Sequence, residues 1–499
     1  MDRWKAAGIS GIDQIVSSFL YISQALETMP SSPRKDAASK QVEQRTQEIG
    51  QDVWARLNRR KPTVFERRWW LDHILEWAMH DESVKVQMFR FVDVLPTLKS
   101  STSVAQHLQE YFDEVRSHLP AAVRMGLDVA QPDSILGKAL AVNARTNARK
   151  MAERFIAGTT NDEIFRSISR LRKSSLAFTL DLLGEAVISE PEAETYQQSY
   201  LDLIEEIAPQ VNTWPEDHVL DRDSNGFLPR CNVSLKLSAL TSHFNPMDPE
   251  GTTRRVIERL QPILELAREQ DAFVNIDMEH YSYKDLTLHI FEEIAGSDEF
   301  RDWPHFGIVV QAYLQDSGKD LKRLRDFAEK RGTPIWVRLV KGAYWDHETI
   351  TSASRGWPCP VYQEKWQTDE NFEIQTKYLF ENTNWLRPAI ASHNLRSLAH
   401  AMALAEHLQL PQNAWEMQML YGMAEETQQI FSEQHYRVRV YTPFGEMLPG
   451  MSYLVRRLLE NTSNESFLRS AHQSGVSIEE LLRNPTEIGK LQPTEIAAG

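Results

Sequence analysis

A short stretch in the second half of the chain combines the pattern of a buried strand with two cations. Residues 335–340 read Ile-Trp-Val-Arg-Leu-Val, and Lys341 and Gly342 follow before two aromatic residues. Apolar, β-branched runs that stop at a glycine are typical of buried parallel sheets. Because an unpaired buried charge costs several kcal/mol, Arg338 and Lys341 indicate an anionic ligand, which Gly342 lets the backbone approach. An ion pair between Arg338 and a carboxylate of a neighbouring strand is an equally good explanation.

A second cationic pattern lies at residues 453–460, which read Tyr-Leu-Val-Arg-Arg-Leu-Leu-Glu. At about 100° per residue, one third of a helix carries all the polar side chains, which are Tyr453, Arg456, Arg457 and Glu460. One interpretation is a surface helix with an Arg456–Glu460 pair one turn apart. The other is a helix over a binding site, whose two guanidinium groups hold a carboxylate while Glu460 holds the arginines.

Composition bounds the class of protein. The 499 residues are 41% hydrophobic and 25% charged, with a net charge of −15, which is ordinary for a soluble globular protein and argues against a nucleic-acid partner. Two cysteines, Cys231 and Cys359, exclude a disulfide scaffold and a cysteine-rich metal site. The printed sequence shows neither a signal-peptide pattern nor an apolar stretch of about 20 residues. We therefore expect a cytoplasmic protein, with peripheral contact at the inner membrane face left open.

The chain divides into a helical first third and an alternating remainder. We predict a helical arm over 1–60, a helical module over 61–130, a helical linker over 131–170, a barrel over 171–470 and a tail over 471–499. Residues 36–60 are charged and lack a broad apolar face, so this piece is expected to need a partner surface such as another subunit of a homo-oligomer.

Eight short β-type runs alternate with amphipathic helical stretches from residue 170 onward. The predicted strands are 177–182, 232–237, 272–276, 307–312, 335–340, 389–392, 416–420 and 437–441. Alternating β and α elements imply a parallel sheet, and eight such units favour a closed (β/α)₈ barrel over an open sheet. In such barrels the active site lies at the C-terminal ends of the strands.

Polar residues stand at or just beyond all eight predicted strand ends. They are Asp181 and Glu185, Lys236, Asp277 and Glu279, Gln311, Arg338 with Lys341, Tyr344 and Trp345, His393 and Asn394, Gln418, and Tyr441. Some of these side chains are expected to pair with one another, but packing alone does not explain polar residues at all eight strand ends. The sequence therefore predicts a polar site at one rim of the barrel.

Several kinds of chemistry lack their signatures. There is no Gly-x-Gly-x-x-Gly motif, Walker loop or Gly-x-Ser-x-Gly elbow. Asp277, Glu279, His280 and His393 lack ligand-type spacing, so no metal site is predicted. One enzyme class that stays possible is a Schiff-base lyase or aldolase using Lys236 or Lys341, because lysines on barrel strands can act as amine nucleophiles. A non-catalytic scaffold built on a barrel is the second alternative.

The motifs resemble the proline dehydrogenase family, and specifically the proline dehydrogenase half of proline utilization A flavoproteins. The similar segments are 235–240, 275–277, 310–313, 337–346, 393–394 and 453–461, with 89–97 resembling the helical module of the bifunctional members. The resemblance runs from about residue 60 to 470. It implies a distorted (β/α)₈ TIM-type barrel of the α/β class that binds FAD without a covalent bond, preceded by an all-helical region.

Residue by residue, the resemblance also implies roles. The FAD contacts would be Gln311, Arg338, Lys341, Gly342, Ala343, Trp345, His393, Asn394 and Gln418. The substrate carboxylate would bind Lys236, Arg456 and Arg457, with Glu460 supporting the arginines. The remaining pocket would consist of Asp277, Tyr344, Leu420, Tyr441 and Tyr453. A tyrosine at the position of Tyr441 favours L-proline over 4-hydroxyproline.

The implied reaction is the first step of proline catabolism, hydride transfer from C5 of L-proline to N5 of the flavin, which gives Δ1-pyrroline-5-carboxylate. Quinone is the electron acceptor that the resemblance implies. Nothing after residue 470 has a Rossmann fingerprint or a candidate catalytic cysteine. We therefore expect the second oxidation to belong either to a separate pyrroline-5-carboxylate dehydrogenase or to a part of a longer protein outside this sequence.

Overall fold

A computed structural model describes residues 33–59, 81–119 and 155–445, apart from residues 99 and 185–186. It also describes residues 477–491 and a few isolated positions between 124 and 146. Among the helices of these segments, none is both long and apolar enough to cross a bilayer.

Eight parallel strands close into a barrel, as the sequence predicts. They are β1 (Ala177–Leu182), β2 (Cys231–Leu235), β3 (Ala272–Ile276), β4 (Phe306–Gln311), β5 (Ile335–Val340), β6 (Leu386–Ala391), β7 (Glu416–Leu420) and β8 (Val438–Phe444). Each strand pairs with its neighbours in sequence, and β1 pairs with both β2 and β8. The register sets Asp181 beside Ser234 of β2 and Thr179 beside Tyr441 of β8. Since all strands run the same way, their C-terminal ends form a single rim.

Helices precede the barrel, surround it and follow it. They are α1 (Pro33–Arg59), α2 (Glu82–Val94), α3 (Ser101–Asp113), α4 (Asn161–Lys173), α5 (Glu190–Asn212), α6 (Pro249–Glu269), α7 (Tyr281–Ala295), α8 (Ser317–Arg331), α9 (Trp345–Arg355), α10 (Lys365–Glu381), α11 (Leu395–His407), α12 (Glu425–Glu433), α13 (Ile478–Leu481) and α14 (Pro485–Leu491). Local chemistry fixes several ends: Thr160 and Asn394 cap the N-termini of α4 and α11, and Gly332 ends α8 in the left-handed conformation.

Four of the eight strands have the predicted bounds, and the other four are shifted or longer. The largest differences are of three residues: β6 begins at Leu386 rather than at residue 389, and β8 ends at Phe444 rather than at residue 441. Arg387 and Pro388 obscure the start of β6 in the sequence. Arg387 is nevertheless buried. The carboxylate of Asp223, 3.1 Å from its guanidinium group, compensates the buried charge.

A two-stranded hairpin (Arg222–Asp223 and Gly226–Phe227) lies at the N-terminal end of the barrel, opposite the rim. The backbone oxygen of Arg222 accepts a hydrogen bond of 2.7 Å from Arg437, a fully buried residue just before β8. Arg437 and Arg439 also donate to Glu416, at 3.0 and 2.8 Å. The hairpin and this ion-pair network close the end of the barrel that does not carry the predicted site.

The arm helix α1 packs on the barrel, which supplies the partner surface that the sequence predicts for this helix. Val42, Ile49 and Val53 are buried in the same hydrophobic core as the barrel strands. Arg396 of α11 donates to both oxygens of Glu43, at 2.5 and 2.7 Å. Gly50 lies against Leu482, which follows α13, so the tail packs here as well. The partner surface of the arm therefore belongs to the same chain.

The module between arm and barrel has a small core of its own. Helices α2 and α3 share a cluster of buried apolar side chains that includes Val84, Phe91 and Val104. Asp81 caps α2 and Ser100 caps α3, each by accepting a hydrogen bond from backbone N–H groups of the first turn.

Candidate active site

The rim formed by the C-terminal strand ends brings four of the predicted residues together. Lys236 follows β2 directly, Asp277 follows β3, Arg338 lies within β5 and Tyr441 within β8. All four connect by hydrogen bonds or ion pairs inside the barrel, although up to 205 residues separate them in sequence (441 − 236). The barrel topology alone explains this convergence.

Arg338 is held by an ion pair, as one of the two sequence interpretations required. Its Nη1 lies 2.6 Å from Oδ1 of Asp277, and its Nη2 donates to Oγ of Ser234 at 2.8 Å. The guanidinium carbon lies 5.2 Å from the ring centroid of Tyr441. The Nε atom of Arg338 is buried and has no hydrogen-bond partner within the described segments, so one donor of this arginine is left over.

Asp277 is the centre of the network. Besides the ion pair with Arg338, its Oδ2 accepts a hydrogen bond of 2.6 Å from the hydroxyl of Tyr441 and lies 3.5 Å from Nζ of Lys236. Burial, and then the carboxylates of Asp181 and Asp277, raise the pKa of Tyr441 well above its ordinary value. Tyr441 therefore stays protonated at neutral pH and acts as a hydrogen-bond donor.

Lys236 lies between two carboxylates. Its Nζ is 2.9 Å from Oδ1 of Asp181 in addition to its contact with Asp277. Burial lowers the pKa of Lys236, but the two carboxylates outweigh burial and raise this pKa well above its ordinary value. A Schiff-base lysine needs a lowered pKa to supply a neutral amine. The charge on Lys236 is thus suited to binding an anion and unsuited to nucleophilic attack.

Lys341 has a carboxylate partner on a helix. Its ammonium group pairs with Asp369 of α10, and Lys365 lies 2.6 Å from the other oxygen of the same carboxylate. Burial lowers the pKa of Lys341 despite this partner. Of Lys236 and Lys341, it is therefore Lys341 whose pKa moves in the direction that Schiff-base chemistry requires.

Gly342 is required by its backbone conformation and by a neighbouring ring. Its φ is +139°, where residues with a side chain are rarely found, and an added Cβ would overlap the ring of Tyr313. Beyond it, Ala343 is exposed, Tyr344 is partly buried and Trp345 begins α9 with its indole nitrogen donating to the backbone oxygen of Tyr362 at 2.9 Å. The Lys341–Trp345 turn thus lies at the open rim.

The predicted amide and imidazole groups lie on strands β4 and β7 or in the turn directly after β6. Gln311 ends β4 and Gln418 lies in β7; both are buried, and the Oε1 atom of each has no partner within the described segments. His393 accepts a hydrogen bond of 3.0 Å from the backbone N–H of Leu420, and Asn394 caps α11 by accepting from Ser397. Leu420 is partly buried at the end of β7.

Five predicted residues lie outside the described segments, namely Glu185, Tyr453, Arg456, Arg457 and Glu460. Two contact residues went unpredicted. Ser234, the Arg338 partner, precedes Lys236 by two residues, and the two-residue period of a strand could have placed it on the same face. Asp369, the Lys341 partner, follows Lys365 by four residues, a spacing that usually suggests only a surface helix pair.

A closed parallel barrel with buried ion pairs at its C-terminal rim defines a (β/α)₈ barrel protein with a built polar site. The sequence profile of the proline dehydrogenase family matches residues 164–470, and that of the proline utilization A N-terminal domain matches residues 43–155. The chain therefore belongs to the proline dehydrogenase family.

Individual relatives agree with this assignment. The chain is 31% identical to the bifunctional protein PutA of Escherichia coli over 361 residues, which are 70% of this chain and 26% of that protein. It is 30% identical to proline dehydrogenase 1 of Bacillus subtilis over 317 residues, covering 64% of this chain and 89% of that enzyme.

A solved structure extends the likeness to most of the chain. Proline utilization A from Bdellovibrio bacteriovorus, in a form inactivated by N-propargylglycine, superimposes with a TM-score of 0.81 at 43% identity. The match covers 89% of this chain and 44% of that one. The chain thus spans less than half of that protein and about a quarter of its E. coli relative.

Proposed function

We propose that this chain catalyses the oxidation of L-proline to Δ1-pyrroline-5-carboxylate with FAD as the electron acceptor. One observation carries the proposal: in a chain of the proline dehydrogenase family, Lys236, Asp277, Arg338 and Tyr441 meet in one buried network at the barrel rim. A rim with charged lysine and arginine groups suits a small amino acid carboxylate and an anionic cofactor.

The residues present fit FAD because some of their buried polar atoms have no hydrogen-bond partner within the described segments. Nε of Arg338 is an unpartnered buried donor, and Oε1 of Gln311 and of Gln418 are unpartnered buried acceptors, within the described segments. A flavin ring edge presents both acceptors and a donor, and buried polar groups need partners. The residues that would hold the cofactor are Gln311, Arg338, Lys341, Gly342, Ala343, Trp345, His393, Asn394 and Gln418. When bound, FAD supplies the two-electron acceptor for the hydride from C5 of proline.

The protein contributes orientation above all. The ammonium of Lys236 binds the proline carboxylate together with Arg456 and Arg457, which Glu460 supports. Because Lys236 and Arg338 are fixed by ion pairs before any ligand arrives, little reorganisation is needed when the substrate binds. The side walls of the pocket are formed by Tyr344, Leu420, Tyr441 and Tyr453.

The ring amine of proline must be neutral before C5 gives up a hydride. Tyr441 holds its proton at neutral pH because burial and neighbouring carboxylates raise its pKa, so its hydroxyl donates to Asp277 and does not accept a proton. The general base is left unassigned, and Asp277 is the remaining candidate of the two that the sequence suggests.

The electrons are proposed to pass to quinone, with peripheral contact at the inner face of a membrane. The second oxidation, of the pyrroline product, is proposed to belong to a pyrroline-5-carboxylate dehydrogenase on another chain or on a longer form of this one.

The visible spectrum of the purified protein tests the proposal. We expect a yellow protein, reconstituted with FAD if necessary, whose flavin absorbance is bleached by L-proline without oxygen. The matched variant Lys236→Met should stay yellow but need far more proline for bleaching. A colourless protein that does not bind FAD contradicts the proposal. Inactivation by borohydride with a carbonyl substrate would instead support the Schiff-base alternative at Lys341.

A further inference from the structure

Asp181 is a buried carboxylate that has no role in the proposed reaction. It is the fifth residue of β1, its side chain is 4% exposed, and its Oδ1 lies 2.9 Å from Nζ of Lys236. The same Nζ lies 3.5 Å from Oδ2 of Asp277. An ammonium group has three N–H donors. Two carboxylates therefore leave one donor of Lys236 for a third acceptor.

The two carboxylates around Lys236 differ in what else holds them. Asp277 receives hydrogen bonds of 2.6 Å from both Arg338 and Tyr441. The hydroxyl of Tyr441 also lies near Asp181, but it has a single proton, which it donates to Asp277 at 2.6 Å. Within the described segments, Lys236 is thus the cation that compensates Asp181, whereas Asp277 has two strong donors besides Lys236.

The other titratable groups that face Asp181 are two tyrosines of α5. Burial raises the pKa of both Tyr196 and Tyr200 well above the ordinary value, so both remain neutral. The Tyr196 oxygen accepts from the backbone N–H of Lys236 at 3.2 Å, and Tyr200 donates to the backbone oxygen of Ser234. Neither tyrosine can therefore offset a further negative charge beside Asp181.

We propose that Asp181 is a positioning residue that holds Lys236 for the substrate carboxylate and takes up a proton from solution when that carboxylate binds. The inference rests on the proposed function. A bound carboxylate places a third negative charge around one buried ammonium, and the repulsion is relieved when the least compensated carboxylate becomes neutral. The proton adds to a carboxylate oxygen of Asp181, and no other bond changes.

The acid strength of Asp181 is consistent with this exchange. Burial raises its pKa to about 6, against the opposing effect of Lys236. At pH 7 Asp181 is therefore ionised in the free site, and a modest further rise in pKa is enough to protonate it in the complex. Because binding then consumes a proton, the affinity for a carboxylate must fall as the pH rises above 7.

The experiment uses FAD-loaded protein and cyclopentanecarboxylate, a five-membered ring acid without an amine that could titrate. Calorimetry at pH 7 in two buffers of different ionisation enthalpy gives the number of protons taken up. Titration of the flavin absorbance gives Kd between pH 7 and 8.5. We expect uptake of up to one proton and a Kd that rises by at most about tenfold per pH unit. Binding without uptake, at a pH-independent Kd, overturns the inference.

Two variants test whether the proton uptake belongs to Asp181 or to any buried carboxylate that pairs with a lysine. Asp181→Asn should bind the acid without proton uptake and with a Kd that does not change over this pH range. Asp320→Asn is the matched control, because Asp320 also pairs with a buried lysine, Lys284, at 2.9 Å and burial also raises its pKa to about 6. Asp320 lies on α8, outside the network, so this variant should keep the wild-type uptake.

The outcomes distinguish this inference from the function on which it rests. If Asp181→Asn does not fold, the proton uptake measured for the wild-type protein still tests the inference, because binding without uptake overturns it. If FAD binds but the acid does not compete with L-proline, the substrate site itself is wrong. If the acid competes and the uptake persists in Asp181→Asn, only the role of Asp181 is wrong.

Discussion

Arg338 and Asp277 are 61 residues apart in the chain, and their charged groups are 2.6 Å apart inside the barrel. Two other rim cations follow the same rule, since Lys236 pairs with Asp181 and Lys341 with Asp369. A ligand that enters the rim therefore meets cations that are already fixed in position by internal carboxylates. Such preorganisation lowers the cost of orienting charges during a reaction.

Asp277→Ala should destabilise the barrel. The change leaves the buried guanidinium of Arg338 without its ion-pair partner, and breaking a buried pair in this way costs about 3–5 kcal/mol. Chemical denaturation followed by circular dichroism measures the loss. Arg56→Ala is the control, because it removes an exposed pair with Asp52 that should contribute no more than about 1 kcal/mol. Equal effects of the two changes would show that the Arg338 pair contributes no special stability.

Gly342→Ala should weaken FAD binding. The new Cβ has to move the ring of Tyr313 and adopts a φ of +139°, which costs about 1–3 kcal/mol and displaces the Lys341–Trp345 turn. The readout is the FAD dissociation constant from quenching of flavin fluorescence. Gly332→Ala is the matched control, because Gly332 also has a positive φ, of +79°, but faces open space at the end of α8. An unchanged FAD affinity in Gly342→Ala would remove this turn from the cofactor site.

Arg456→Met should weaken binding of L-proline. A hydrogen bond to a charged group contributes about 1.5–3 kcal/mol, so Kd should rise by roughly 10- to 150-fold. Proline titration of the flavin absorbance without oxygen measures this change. Arg483→Met, at an exposed position after α13, should leave the titration unchanged. Normal saturation in a folded Arg456→Met protein refutes the carboxylate role.

The turnover rate at saturating L-proline should rise with pH across the neutral range. Hydride loss requires the neutral ring amine, and a higher pH increases its fraction in the complex. The rate at saturation is the right measure, because the ratio kcat/KM also contains the opposite dependence expected of carboxylate binding beside Asp181. A rate independent of pH from 6 to 9 contradicts the requirement for a neutral amine.

Arg396→Met should release the arm helix from the barrel. Arg396 is buried and donates to Glu43 of α1, to Glu373 of α10 and to the backbone oxygen of Leu482. Its loss leaves two carboxylates without their cation, at a cost of at most about 3–5 kcal/mol. Limited proteolysis should then cut α1 faster at Arg45 and Arg56. A cleavage rate equal to wild type would show that apolar packing alone holds the arm.

The barrel was predictable because its strands have one strong signal each. Runs such as 335–340 are apolar, short and followed by a polar residue and a turn, and their bounds agree with the structure. The start of β6 was not predictable, since Arg387 is a polar residue in a buried strand and its partner, Asp223, lies in the hairpin at the opposite end of the barrel from the rim. No local sequence pattern predicts an ion-pair partner that is 164 residues away (387 − 223).

The site residues at strand ends were predictable by type, but their pairing was not. The sequence names Lys236, Asp277 and Arg338 as rim residues, and only the closed barrel shows that all three belong to one network. The arm illustrates the opposite case. Its buried residues, Val42, Ile49 and Val53, are too sparse for an obvious apolar face, and the charge of Glu43 conceals a buried contact.

The docking of α1 on α11 has a consequence for synthesis of the chain. Glu43 and Arg396 are 353 residues apart, and at roughly 5–20 residues per second the ribosome needs roughly 20–70 s to span that interval. For that time the buried side chains of α1 have no barrel to cover them. We expect the nascent arm to depend on a chaperone or to associate transiently with other polypeptides. The yield of folded protein in cells should therefore respond to translation speed more than the stability of the finished protein suggests.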